Sequence, residues 1–229
     1  MQINHILFDL DNTIYPSSSQ MNDGITKRML ECVANFFNIS FEEAIEYRRK
    51  NITHYSTTLE WLRNAGLTDV EKFLAYVHPQ NEADELKEQP KLREFLLSLD
   101  YPKSILTNAP REHAQRVLSK LGVEDLFESI TDIRDADFFG KPYPQSYKAA
   151  LAKVHADIET TLFLDDMQKY VDGWKNLGGT AILIGNENGR PLSFNAESVQ
   201  ISENSKKGLI INLPSIYELK IKNGFLLNE

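Results

Sequence analysis

Between Pro90 and Ile184 short apolar runs alternate with segments of helical periodicity, and that alternation leaves few folds open. Pro90 opens a helix carrying Leu92, Phe95, Leu96 and Leu99, and Lys103 to Leu106 follows as a strand. Arg111 to Leu121 reads as a helix ended by Gly122, then Ser129 to Ile133 as a weaker strand. Pro144 to Val154 is a helix and Thr160 to Leu164 a strand. Val171 to Leu177 is a helix closed by Gly178-Gly179, and Thr180 to Ile184 a last strand. With the apolar run Ile6-Leu7-Phe8 near the start, five strands result. Strands separated by helices do not pair through tight turns; they pair in parallel through right-handed crossovers. The predicted fold class is α/β, with a Rossmann-like parallel sheet core flanked by helices.

One block interrupts this pattern. From about Met21 to about Glu88 the sequence shows helical periodicity and little strand character. Ile25, Met29, Val33, Phe36 and Phe37 recur at the spacing of one buried helical face, where Cys32 also belongs. Ser40 with Glu43 is a capping box opening a helix through about Arg49. Thr57 to Ala65, closed by Gly66, and Asp69 to Val77 complete the block. The loop before it, Tyr15 to Ser19, is small and polar around Pro16. Residues 186–208 are polar and aperiodic and read as loop, and Pro214 to Leu219 as a final helix. The 229 residues and 41% hydrophobic content suffice for a large core. A net charge of −8, without long like-charge runs, argues against a nucleic-acid polymer or an acidic membrane as partner. With one cysteine no internal disulfide or cysteine-based zinc cluster is possible. No apolar stretch approaches the roughly 18 residues of a membrane span, so the expected location is the cytoplasm.

The polar residues at the strand ends carry the chemistry, because open parallel sheets bind ligands beyond the carboxyl ends of their strands. Asp9 and Asp11 follow the first strand, Thr107-Asn108 the second, and Asp165-Asp166 follow Phe163-Leu164. Lys141 lies in Gly140-Lys141-Pro142, before the helix leading to that strand. Singly each has a plain reading: a turn for Thr107-Asn108, a solvated loop lysine for Lys141, a helix N-cap pair for Asp165-Asp166. Their joint placement predicts four carboxylates, a hydroxyl and an ammonium at one edge. Oxygen-only ligands suit a hard divalent ion, Mg2+ before any soft metal. Such an ion would screen a phosphate dianion from the acids around it, so that a carboxylate could attack phosphorus. A neighbouring acid could then protonate the leaving oxygen, while Thr107 and Lys141 hold phosphoryl oxygens. Asp9, Asp11 and Thr13 also mimic the start of an EF-hand loop, but Ile14 stands at its glycine position and Gln20 at its final glutamate.

These four stretches resemble the four motifs of the haloacid dehalogenase-like hydrolase superfamily, most of whose members are phosphatases. Motif one is similar to Asp9-Leu10-Asp11-Asn12-Thr13, two to Thr107-Asn108, three to Lys141-Pro142 and four to Asp165-Asp166. The resemblance implies Asp9 as nucleophile, Asp11 as general acid and base, and Thr107 and Lys141 as phosphate ligands. It places Mg2+ on Asp9, the backbone carbonyl of Asp11, and Asp165 or Asp166. Dehalogenation is not implied, since true dehalogenases use neither the second aspartate nor a metal. Over residues 5–185 the stretches Phe8 to Ser19, Tyr55 to Leu59, Tyr76-Val77-His78, Leu106 to Asn108 and His113 to Gly122 resemble the pyrimidine 5′-nucleotidase-like branch. That branch carries a helical cap after motif one. It implies a core of residues 1–15 and 89–229, a cap of residues 16–88, and nucleoside 5′-monophosphates, pyrimidine ones first, as substrates.

The sequence departs from that branch where motif four continues. Met167 replaces a usual serine, Tyr170 an asparagine or aspartate that supports the metal, and Trp174 a small residue, with Asp172 out of register. Ser56 replaces a glycine in the cap. Losing a group that orients metal ligands commonly costs about 10–100-fold in affinity or activity. Asn108, Tyr15, Arg49 and Tyr55 are the substrate-binding candidates, with Arg48 and His54 beside them; the plainer reading makes the arginines solvated and the tyrosines core. His113, at a helix start, reads as structural. The expected partner is a small phosphorylated metabolite, and the expected state a monomer or homodimer. Two alternatives stand beside the nucleotidase: a sugar-phosphate or phosphoglycolate-type phosphatase or phosphomutase, and a non-catalytic ligand-binding protein of the same fold.

Overall fold

The computed structural model describes residues 2–15, 20–185 and 208–226. Six strands form one sheet in the order β3-β2-β1-β4-β5-β6, every neighbour parallel. They are β1 (His5–Phe8), β2 (Lys103–Leu106), β3 (Ser129–Thr131), β4 (Thr161–Asp165), β5 (Thr180–Ile184) and β6 (Ile210–Leu213). Because successive side chains point to opposite faces, each central strand feeds two cores. Ile6, Phe8, Ile105, Leu162, Leu164 and Ile182 enter one cluster, with Leu92 and Leu96 of α5 (Pro90–Ser98) and Val117 and Leu118 of α6 (Arg111–Leu121). Leu7, Leu106, Phe163, Ala181 and Leu183 enter the other, against α7 (Pro144–Lys153) and α8 (Gln168–Asn176). Strands buried on both faces need apolar side chains throughout, hence the runs without alternation.

Gly122 ends α6 at φ 73°, a left-handed position that glycine takes at little cost. Trp174 of α8 packs 5.3 Å from Phe163 and 5.5 Å from Tyr147, and its Nε1 donates to the Thr180 carbonyl at 3.0 Å. A Cβ at position 179 would lie 2.1 Å from that nitrogen, so Gly179 makes room for the large ring. The departure at Trp174 is thus a packing solution.

Among the described residues, four helices lie between β1 and α5: α1 (Gln20–Phe37), α2 (Phe41–Asn51), α3 (Thr58–Asn64) and α4 (Val70–Val77). The capping box of Ser40 and Glu43 opens α2 in both directions. Residues 78–89 return to the sheet without helix or strand.

Three expectations are corrected. A sixth sheet strand, β6, completes the edge beside β5; it is only partly buried and its apolar run is broken by the exposed Asn212, so it did not stand out. Pro214 to Leu219 is no α-helix: Ile216–Glu218 makes one 3-10 turn, capped by Ser215. After it β7 (Ile221–Lys222) and β8 (Phe225–Leu226) form an antiparallel hairpin. Its turn residues Asn223 and Gly224 both have positive φ, the geometry that an Asn-Gly pair favours. The strand expected to reach Ile133 stops at Thr131, because Asp132 and Asp135 form a capping box for a 3-10 turn. The polar loops read at 16–19 and 186–207 lie outside the described residues.

Candidate active site

The strand order reverses between β1 and β4, and this is where a parallel sheet opens a crevice. Asp9 stands at that point, its N–H donating to the Leu164 carbonyl at 2.8 Å. The chain then turns sharply through Asn12 at φ 64°, a region asparagine tolerates better than most residues. The turn brings the Thr13 hydroxyl back to donate to Asp9 Oδ2 at 2.9 Å. From across the crevice, Lys141 Nζ donates to Asp9 Oδ1 at 2.5 Å and to Asp165 Oδ2 at 2.6 Å. The other oxygen of Asp165 accepts from the Met167 N–H at 2.8 Å. Carboxylate oxygens of Asp9, Asp165 and Asp166 all lie within 4.8 Å of one another.

Lys141 is only 1% exposed, and its position is built by backbone contacts. Asn108 Oδ1 accepts from the Lys141 N–H at 2.7 Å, while its Nδ2 donates to the Lys141 carbonyl and to Tyr170 Oη, each at 3.1 Å. Both ends of this carboxamide are therefore occupied in holding the lysine loop. A Cβ at position 140 would meet Asn108 Oδ1 at 2.6 Å, which explains glycine before the lysine. Thr107 is buried at the end of β2, and its Oγ1 accepts from the Ala109 N–H at 3.0 Å.

One ammonium faces three carboxylates, and the electrostatics follow from that imbalance. Burial raises the Asp9 carboxyl above its ordinary value, with Lys141 opposing and Asp11 adding to the rise. Burial also pushes Asp165 well up and Asp166 up, and the charge of Asp9 adds to both. For Lys141 burial works against the charge, but Asp165 and Asp9 outweigh it and hold the ammonium protonated. Asp11 differs. Burial would raise it, but the charge and hydrogen bond of His113 pull it below the ordinary range. His113 Nε2 lies 2.8 Å from Asp11 Oδ1, and Tyr15 Oη donates to the same oxygen.

The remaining candidates separate. Tyr15 is engaged with Asp11 and Asn108 with Lys141, as above. Arg49 is exposed on α2, its guanidinium 2.7 Å from Glu46 Oε2, and nothing joins it to the acid cluster. Arg48 Nε donates to Thr58 Oγ1 at 3.0 Å, and His54 is exposed. Tyr55 is half-buried against the apolar core. The helical block meets the sheet edge elsewhere, through the start of α3. Lys169 Nζ and Tyr170 Oη donate to the Ser56 carbonyl at 3.0 and 3.4 Å, and Tyr143 Oη donates to Glu60 Oε1 at 2.6 Å. Tyr170 also lays its ring 5.0 Å from Lys141 Nζ. The two departures, Ser56 and Tyr170, thus touch each other.

Sequence reasoning passed over Glu82 and set His113 aside as structural. The cue was a histidine opening the helix directly after Thr107-Asn108. Burial alone would lower its imidazolium, but Asp11 and Glu82 raise it from 6.5 to about 10. His78, whose ring centroid is 4.6 Å away, is pushed down by burial and packs neutral. A raised imidazolium stabilises the fold fully below pH 6.5 and loses that contribution as pH rises through about 10. The melting temperature is therefore expected to fall between these values, and to fall less in His113→Gln, which has no ionisable group there. Equal falls in the two proteins would contradict this.

A family model described as haloacid dehalogenase-like hydrolase matches residues 3–176. "Phosphate metabolism protein 8" of Saccharomyces cerevisiae is 27% identical over 190 residues, 75% of this chain and 58% of the yeast protein. The chain thus spans less than two thirds of that relative. "Pyrophosphatase PpaX" of Halalkalibacterium halodurans is 26% identical over 193 residues, 81% of this chain and 85% of that protein. Among solved structures, a HAD phosphatase from Thermococcus onnurineus superimposes with a TM-score of 0.57 at 19% identity, over 94% of this chain and 95% of that one. At that identity the likeness concerns the fold.

Proposed function

The chain belongs to the haloacid dehalogenase-like hydrolases, and from that premise we propose that it is a Mg2+-dependent phosphomonoesterase working through an aspartyl-phosphate. The observation that carries this reading is the Asp9 carboxylate. It stands at the crevice between Lys141 and Thr13, with a second, separately held acid two residues on. Asp9 would attack phosphorus as the bond to the leaving oxygen breaks, and Asp11 would give that oxygen its proton. Asp11 would then take a proton from the water that displaces Asp9. The Thr107 hydroxyl and the Lys141 ammonium would bind phosphoryl oxygens, which carry the charge developing in the transition state.

The donor set fits Mg2+. Its ligands are all oxygen, and a cluster of two buried carboxylates and one half-buried one, offset by a single lysine, lacks positive charge. Asp9, Asp165, Asp166 and the Asp11 carbonyl would hold the ion. When bound it would offset the charge of the phosphate oxygens against these acids.

Within phosphatases we favour nucleoside 5′-monophosphates, pyrimidine ones first, on the sequence likeness to that branch; the bonds of Ser56 and Glu60 to Lys169 and Tyr143 support a role of the helical block at the site. Residues 16–88 are accordingly read as a cap on a core of 1–15 and 89–229. The alternative is a sugar-phosphate or phosphoglycolate-type phosphatase, or a phosphomutase.

The test is phosphate release from nucleotides, sugar phosphates and phosphoglycolate, with Mg2+ or with a chelator. Release is expected to need Mg2+, the chelator lowering it on the order of 100-fold. Folded protein that releases nothing from any of them would instead favour a binding protein, with Tyr170 the first residue to question.

A further inference from the structure

Asp11 is fastened from outside the crevice. His113 is fully buried on α6, with Nε2 2.8 Å from Asp11 Oδ1 and Nδ1 2.8 Å from Glu82 Oε1. Carboxylate oxygens only accept, so both ring nitrogens donate and the ring has no freedom to turn. Glu82 lies on the segment returning from the helical block and is itself held. Arg116 donates to its Oε1 at 2.6 Å, and His78 Nδ1 lies 3.0 Å from Oε2. His78, Glu82 and His113 stand close enough to surround a cation, but Arg116 already brings positive charge to Glu82. The network closes with protein groups.

A histidine kept only for packing would not need two charged partners in line with an acid at the crevice. We propose that His113 is a positioning residue for Asp11, and that Glu82 holds His113 in that role. The inference rests on the phosphatase reading and deepens it. The bonds from His113 and Tyr15 converge on Oδ1 and fix the carboxyl group, which leaves Oδ2 of Asp11 to exchange the proton. In the first step Asp11 takes a proton from the bound phosphate monoanion and passes it to the leaving oxygen, while the Asp9–phosphorus bond forms and the ester bond breaks. In the second Asp11 receives a proton from water, whose oxygen bonds phosphorus as the bond to Asp9 breaks. A carboxylate free to rotate would meet neither proton on time. Since Glu82 sits on the return segment, the aim of Asp11 also depends on how that segment packs against α6.

The leaving group separates positioning from mere support. p-Nitrophenolate departs with little help from a proton, whereas the alkoxide of a nucleoside or glycerol phosphate needs one. In kcat/KM, which reports the phosphorylation step, His113→Ala is expected to lose about 100-fold on the alkyl phosphate and little on p-nitrophenyl phosphate. His113→Gln, which keeps one donor toward Asp11, is expected to recover about 10-fold of that loss. It also supplies the test if the alanine protein does not fold, since its remaining deficit should again fall on the alkyl phosphate alone. Glu82→Gln should show the same selectivity, more weakly. Equal losses on both substrates, or none, in an active and folded series would overturn the positioning role while leaving the phosphatase reading intact. A wild-type protein inactive on both substrates would remove that reading, and the role with it.

Discussion

Replacing Asp9 by asparagine is expected to abolish phosphate release, with a loss of about four orders of magnitude or more, as for other removed nucleophiles. The melting temperature should stay level or rise. An amide cannot form the acyl phosphate, so the chemistry stops whatever else remains in place. Stability behaves otherwise because the native site is strained electrostatically. Burial already disfavours the Asp9 charge, and Asp11 adds repulsion. Asparagine removes that charge while Lys141 keeps its bond to Asp165. A loss of turnover with no loss of stability is the mark of a group placed for chemistry. A large drop in melting temperature would instead make Asp9 a structural acid.

Lys141→Met is expected to have the opposite signature, losing both turnover and stability. The lysine is buried and bridges Asp9 and Asp165. Without it, three carboxylates face one another with no counter-charge from this side chain. Removing one partner of a buried ionic cluster costs about 3–5 kcal/mol, and in a chain of this size that lowers the melting temperature by roughly 10 °C. The pH dependence has a definite sign. Asp165 and Asp166 already titrate above their ordinary values, so the folded state gains stability as pH falls and they protonate. The deficit of Lys141→Met should therefore shrink toward acid pH, and Mg2+ should reduce it at neutral pH. Thermal melts across pH, with and without Mg2+, read both effects. A variant as stable as wild type at neutral pH would show that the acids are not held by this lysine.

The fold was legible because burial on both faces leaves uninterrupted apolar runs, and helices between them leave only parallel pairing. The same logic located Asp9, Thr107 and Asp165, since a residue that ends or directly follows a central strand must stand at its carboxyl end. Less legible was anything set by side-chain direction across long separations. Asn108, a candidate for substrate, spends both ends of its amide on the Lys141 loop. Arg49 turns to its neighbour Glu46, as a helix surface residue three positions away readily does. The line from Asp11 through His113 to Glu82 joins residues 102 and 31 positions apart. No periodicity encodes such a line. β6 is broken by the exposed Asn212 and the β7–β8 hairpin is too short for pattern alone, although Asn223-Gly224 carried a turn signal that could have been used.

The most direct measurement is to mix the enzyme with substrate and Mg2+, quench in acid within milliseconds, and map the peptides by mass. The account predicts one phosphoryl group on the peptide that contains Asp9, appearing before steady-state release and absent from Asp9→Asn. Turnover with that peptide unmodified at every quench time, and no burst of released alcohol, would contradict the covalent route.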